Sequence, residues 1–349
     1  MMSTPGVFSA LGLEVEMEEN QELANLTPLA EIELAARRIQ SIARRTPLIE
    51  APFSPLFAPG TGRSLWLKAE NLQPVGAFKI RGAANRILAL SDEERACGVI
   101  THSSGNHAQG VAYAARAVGA KAVIVMPRNA PAIKRQATLA LGAEVLSVEP
   151  STEARIEKFQ FEIDRHGYIP VPPYDDAAII AGQGTCGLEI LNDLPTVDLV
   201  LVPVSGGGLI SGIAAAIKQK NPKCKVIGVE PELAADAGES YRRGEIVQWE
   251  AERVARTLAD GLRCQSIGQR NWAHIRAFVD GFVTVTESEI REAMRQIVAT
   301  THLVAEPSGA VAAAAALFHQ AELPAARETV AILSGGNVSP DLLAEVLSE

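Results

Sequence analysis

Lys79 stands in the run Val75 to Gly82 (VGAFKIRG), flanked by Phe78 and Ile80 and followed by Arg81. An amine set among apolar neighbours and near a second cation loses the solvation that favours its charged form. Its pKa falls, and it becomes a nucleophile or base near neutral pH. Taken alone, such a lysine is more often a surface residue with its stem laid along apolar neighbours. Its meaning depends on SSGNH at 103–107, SGGGL at 205–209 and SGGN at 334–337. Successive glycines let backbone N–H groups converge on an anion at a helix start, where the helix dipole adds its attraction. SGGGL also reads as an ordinary tight turn. No G-K-[ST] follows it and no G-x-G-x-x-G surrounds it, so SGGGL is neither a Walker loop nor a dinucleotide fingerprint. SSGNH offers hydroxyls, an amide and an imidazole that could grip a carboxylate if a helix begins near Asn106, or form a plain capping turn.

The elements that must position these segments follow from hydropathy. From about residue 98, β-rich runs (GVITHSS, AKAVIVMP, AEVLSVEP) alternate with helical stretches (HAQGVAYAARAVG, IKRQATLALG), the rhythm of a parallel sheet covered by helices. VDLVLVPV at 197–204, KVIGVE at 225–230 and TVAIL at 329–333 read as further buried parallel strands. The fold class is therefore α/β, with the candidate segments at strand-to-helix turns, where open sheets bind ligands. Residues 231–282 are less regular, with a helix expected near 239–243 and DG turns at 260–261 and 280–281. That stretch is expected to wrap the surface or reach the site.

With 349 residues, 47% of them hydrophobic, the chain can build a sizeable core and two domains. The net charge of −9 argues against a nucleic-acid surface. The apolar run Ala310 to Phe318 is too short to span a membrane and suits a packed helix. Cys97, Cys186, Cys224 and Cys264 are scattered, with no C-x-x-C pair, which suits a reducing cytoplasm. The N-terminal 28 residues lack a basic signal region and read as a flexible lead-in.

The ordered segments ENLQPVGAFKIRGA (70–83), THSSGNHAQGVAYAA (101–115), DDAAIIAGQGTCGLEIL (175–191), PVSGGGLISGI (203–213) and LSGGNV (333–338) resemble the fold-type II pyridoxal-phosphate enzymes. The nearest branch is that of the threonine/serine dehydratases and serine racemases. The resemblance runs from about residue 30 to 340 and implies a two-domain, tryptophan synthase β-like fold, each domain an open, mostly parallel sheet flanked by helices. Residues 1–97 and 176–349 would form a large cofactor domain and 98–175 a small mobile one.

Carried over by residue, the resemblance makes Lys79 the Schiff-base lysine and general base, with Phe78 beside the pyridine ring and Asn106 on its phenolic oxygen. Ser205, Gly206, Gly207, Gly208 and Leu209 would hold the phosphate and Ser334 the pyridine nitrogen. Ser103, Ser104, Asn106 and His107, with Arg155 from the small domain, would hold the substrate carboxylate. Glu230, the carbonyl of Ala234 and Asp236 match a site for Mg²⁺ or Ca²⁺, a set that alone also reads as a solvated acidic loop. The implied reaction converts L-threonine or L-serine to a 2-oxo acid and ammonia. The alternatives are a serine or aspartate racemase or a 3-hydroxyaspartate ammonia-lyase using Ser104 as second-face acid or base, and, in a different class, a silent metabolite-binding protein. A homodimer or higher homo-oligomer is implied. Because the sequence ends soon after SGGNV, no feedback-inhibited regulatory domain is expected. Two positions depart from the pattern: Ser205 replaces the first glycine of the usual phosphate loop, and Ala77 replaces the serine usual before Phe-Lys.

Overall fold

The computed structural model describes residues 26–53, 57, 60–130 and 132–349. Its strands are β1 (Leu48–Glu50), β2 (Ser64–Ala69), β3 (Val99–His102), β4 (Ala122–Pro127), β5 (Glu144–Val148), β6 (Ile169–Pro170), β7 (Leu199–Pro203), β8 (Lys225–Pro231), β9 (Gly281–Val285) and β10 (Glu328–Leu333). They form a six-stranded sheet ordered β1-β2-β10-β7-β8-β9 and a four-stranded sheet ordered β5-β4-β3-β6. Every neighbouring pair is parallel except β1 with β2.

The expected α/β rhythm is present, for the reason read from composition. A strand covered on both faces has no polar side, and each residue of β7 is buried. The alanine run forms the helix Pro307–Phe318, buried from Pro307 to Ala316, and packs on β7, β8, β9 and β10. The turns after β7 and β10 leave from the carboxyl ends of adjacent strands. SSGNH follows β3 in the smaller sheet, so the space between the sheets faces all three turns.

Two readings need adjustment. Residues 231–282 are more regular than their hydropathy suggests: they hold the helices Asp236–Arg243, Ala251–Val254 and Gln269–Phe278 and the start of β9. The expected lead-in falls mostly on residues 1–25, outside the described residues. Thr27 is buried, and its N–H donates to His274 Nε2 at 2.9 Å. Among the described residues, no helix is long and apolar enough to cross a membrane, and all four cysteines are free.

Candidate active site

Lys79 opens the helix Lys79–Leu88, and the residues before it are stitched to the turn after β10. Ala77 bridges Gly335 in antiparallel fashion, Phe78 N–H donates to Ser334 O at 3.0 Å, and Gly336 N–H donates to Gly76 O at 2.9 Å. Lys79 and Ser334 are thereby neighbours despite their separation in sequence. Lys79 Nζ donates to Pro173 O at 2.7 Å and lies 5.2 Å from the centre of the Phe78 ring. Burial brings its pKa down to about 8, against an opposing pull from the Cys264 thiol.

The glycine loop reaches the same place from β7. Gly207 has φ of 97°, a conformation that side chains resist, and a Cβ on Gly206 would overlap the Tyr174 ring, one residue beyond the Pro173 carbonyl that holds Lys79. The helix Gly208–Lys220 begins without a side-chain cap, so its first N–H groups face the cleft unpaired among the described residues. Ser205 Oγ accepts the Cys264 N–H at 3.1 Å, which leaves its proton for an anion.

The third wall is the start of the helix Asn106–Ala117, again without a side-chain cap. Ser103 Oγ accepts Gly105 N–H at 3.3 Å. Asn106 Nδ2 donates to Glu306 Oε1 at 2.6 Å, and Asn106 Oδ1 accepts from Asn337 Nδ2 at 2.8 Å. His107 turns away: its Nε2 meets Val171 O at 3.0 Å, and a carbonyl only accepts, so the ring carries its proton there. Burial, then the Lys79 charge, push its pKa down to about 3, so the imidazole is neutral and its buried Nδ1 is an acceptor. A carboxylate contact from His107 therefore runs through its backbone N–H. Arg155 donates to Thr152 Oγ1 at 3.0 Å, and its charge helps lower the His102 pKa, after burial.

With this geometry in place, comparison with known proteins is decisive about family. The model for the pyridoxal-phosphate dependent enzymes matches residues 39–335. The chain belongs to that family. It is 43% identical to the L-threonine ammonia-lyase of Thermotoga maritima, covering 92% of this chain and 78% of that one. It is 40% identical to the L-threo-3-hydroxyaspartate ammonia-lyase of Saccharomyces cerevisiae, covering 90% and 94%. Maize serine racemase superposes with a TM-score of 0.86 at 37% identity, covering 92% of this chain and 97% of that structure.

The residues present fit pyridoxal phosphate. The glycine loop offers unpaired N–H groups, and several of its positions have no room for a side chain. Lys79 is half-buried, and its amine pKa is lowered to about 8. Ser334 presents a buried hydroxyl whose one hydrogen bond among the described residues is a long 3.3 Å bond to Ser308 O. As a neutral partner, that hydroxyl leaves a pyridine nitrogen less strongly protonated than a carboxylate would.

A second polar cluster lies at the end of β8 and just beyond it. Glu230 is fully buried and accepts N–H bonds from Ala237 at 3.0 Å and Gly238 at 2.7 Å. Asp236 is buried as well, and neither of its oxygens has a partner among the described residues. Burial pushes the Asp236 pKa up to about 7, and burial plus Asp236 raises that of Glu230. Ala234 is buried between them in the 3-10 helix Glu232–Ala234. No group of three or more His, Cys, Asp or Glu suited to a metal occurs among the described residues. Two carboxylates and a carbonyl fall below that number yet fit a hard cation, and the orphaned Asp236 oxygens are the observation that favours one.

Sequence reasoning missed Glu306, Asn337 and Tyr174. Glu306 is buried against Asn106; burial, then the Asp260 charge, raise its pKa to about 7. Asn337 lay inside the quoted LSGGNV segment, and Tyr174 directly precedes DDAAII. For Asn337 and Tyr174, position in or beside a motif was the only local signal.

Proposed function

We propose that this chain converts a small β-hydroxy amino acid, L-threonine or L-serine foremost, to a 2-oxo acid and ammonia. The observation that carries the reading is the half-buried Lys79, its amine lowered in pKa and its backbone tied to the turn bearing Ser334. The cofactor, when bound, supplies the electron sink that makes a Cα proton removable. Lys79 takes that proton as a general base. The uncapped helix start at Asn106 and His107, with the Ser103 and Ser104 hydroxyls, holds the substrate carboxylate through N–H and O–H donors. Arg155 adds charge from the same sheet unit. Residues 205–209 hold the phosphate, Asn106 the phenolic oxygen, and Ser334 the ring nitrogen, with Phe78 beside the ring. Residues 98–175 move as a small domain over the rest of the chain, a reading supported by their separate four-stranded sheet. Scattered free thiols favour a cytoplasmic setting, and the family resemblance favours a homo-oligomer.

Racemisation is the second reading, because the Ser104 hydroxyl makes no hydrogen bond to any described residue and is free to act as an acid or base. Both are tested by incubating the enzyme with L- and D-threonine, L- and D-serine and the hydroxyaspartate diastereomers while following 2-oxo acid and enantiomer composition together. Inversion faster than 2-oxo acid release overturns the lyase assignment. Ser104→Ala is expected to lower any inversion by about 10²-fold or more, the lower end of what one acid–base group contributes, while elimination from the L-substrate persists.

A divalent cation at Glu230, the Ala234 carbonyl and Asp236 is proposed as a structural or activating ion. Millimolar Mg²⁺ or Ca²⁺ should then raise the melting temperature of chelator-treated protein, because an ion that binds only the folded state stabilises it. Asp236→Asn should remove that response. An equal response in the variant would place the ion elsewhere.

A further inference from the structure

We propose that Asn271, on the helix Gln269–Phe278, is a positioning residue for phosphate recognition, holding the Gly206 carbonyl outward so that the loop N–H groups point into the cleft. This rests on the reading that residues 205–209 bind the cofactor phosphate. Asn271 is fully buried. Its Nδ2 donates to Gly206 O at 3.0 Å, and the same carbonyl accepts Gly268 N–H at 3.1 Å. A second, longer bond of 3.4 Å runs from Nδ2 to Asp175 Oδ1. Both partners are acceptors, so the amide cannot turn over without setting its oxygen against them. Its Oδ1 meets no donor among the described residues. A buried amide half satisfied in this way lowers stability, which makes the donor side the reason for its presence.

The neighbouring bonds extend the clamp. Asp175 accepts the N–H groups of Gln269 at 3.1 Å and Arg270 at 2.9 Å, fixing the start of the Asn271 helix. Asp175 follows Tyr174 and Pro173, which touch Gly206 and Lys79. The Asn271 carbonyl accepts from Ser211 Oγ at 3.4 Å, on the helix that the loop opens. A Cβ on Gly207 would overlap the Asn271 Cβ. Asn271 therefore braces the loop from the helix Gln269–Phe278, its side-chain bonds among the described residues running to Gly206 and Asp175.

Because the phosphate alone should sense this brace, the test compares two ligands. Apoenzyme prepared from purified holoenzyme is titrated with pyridoxal phosphate and with pyridoxal, following the absorbance that reports linkage to Lys79. Asn271→Ala is expected to raise the Kd for pyridoxal phosphate roughly tenfold, the loss of about one buried hydrogen bond, and to leave that for pyridoxal within about twofold. Asn271→Asp should be worse than alanine, because it sets a carboxylate against the Gly206 carbonyl. Asn271→Ser carries the same comparison should alanine fail to fold. Equal weakening of both ligands, or no weakening of either, overturns the proposal. A wild-type enzyme that binds pyridoxal as tightly as pyridoxal phosphate would instead remove the phosphate-loop reading beneath it.

Discussion

Lys79→Ala is expected to lower 2-oxo acid release by about 10³-fold or more while the chain stays folded. A positioned general base contributes about 10²- to 10⁴-fold, and this lysine is also the cofactor's anchor in the proposed reaction. Folding should survive because the change removes a half-buried side chain whose one hydrogen bond among the described residues is to the Pro173 carbonyl. Circular dichroism and the melting temperature check that point. The pH dependence follows from the same burial. The amine pKa is lowered to about 8, so the uncharged, basic form grows as pH rises toward that value, and kcat of the wild type should climb through this range and then level. Borohydride treatment of the holoenzyme should mark Lys79 with the cofactor, read by peptide mass; the alanine variant should show no mark. A variant that keeps a tenth of wild-type turnover would end the assignment.

How much of this could be read from residue order depends on how local each signal is. Strands β3, β4, β5, β7, β8 and β10 announce themselves as apolar runs between turns, and Lys79, SGGGL and SSGNH lie in contiguous stretches that carry their own chemistry. Glu306 does not. Its bond to Asn106 spans 200 residues, and a glutamate before a proline reads locally as a helix start. The helix Gln269–Phe278 was hidden for a different reason: its buried positions are Asn271, His274 and Ile275, so the spacing is helical but the residues are largely polar, and hydropathy registers no stripe. His107 shows a third limit. Its place in the motif was legible, but the turn of its ring toward Val171 depends on the packing of β3 against β6. The orphaned oxygens of Asp236 likewise emerge only once the chain after β8 is folded under β9.

Arg81→Met is expected to cost about 3–5 kcal/mol of folding stability, the loss seen when one member of a buried ion network is removed and its partners stay behind. Against a total of about 5–15 kcal/mol, that approaches unfolding. Arg81 is almost fully buried. Its guanidinium donates to both Glu70 oxygens, at 2.7 and 2.8 Å, to both Glu189 oxygens at 2.7 Å, and to Thr185 Oγ1 at 3.0 Å. Lys68 Nζ joins at 2.6 Å from Glu189 Oε2 and 2.6 Å from Thr46 O. Two cations balance two carboxylates, and methionine would leave one cation for both. Burial favours the neutral form of Glu70, yet the Arg81 charge and bonds, with Lys68 and Thr46, hold its pKa below the ordinary value. In the wild type, Glu70 therefore contributes stability at neutral pH that is lost as pH falls through its lowered pKa. Without Arg81, burial dominates and the Glu70 pKa rises, so the variant suffers most at neutral pH, where this carboxylate must be buried charged. The stability gap between wild type and variant, measured by urea unfolding, should narrow as pH is lowered and Glu70 protonates. Arg81→Lys should lose less than methionine and still not match arginine, since an ammonium cannot span both carboxylates in the plane that the guanidinium fork fills. Because Arg81 lies on the first turn of the helix that Lys79 opens, the same network fixes where the reactive amine stands.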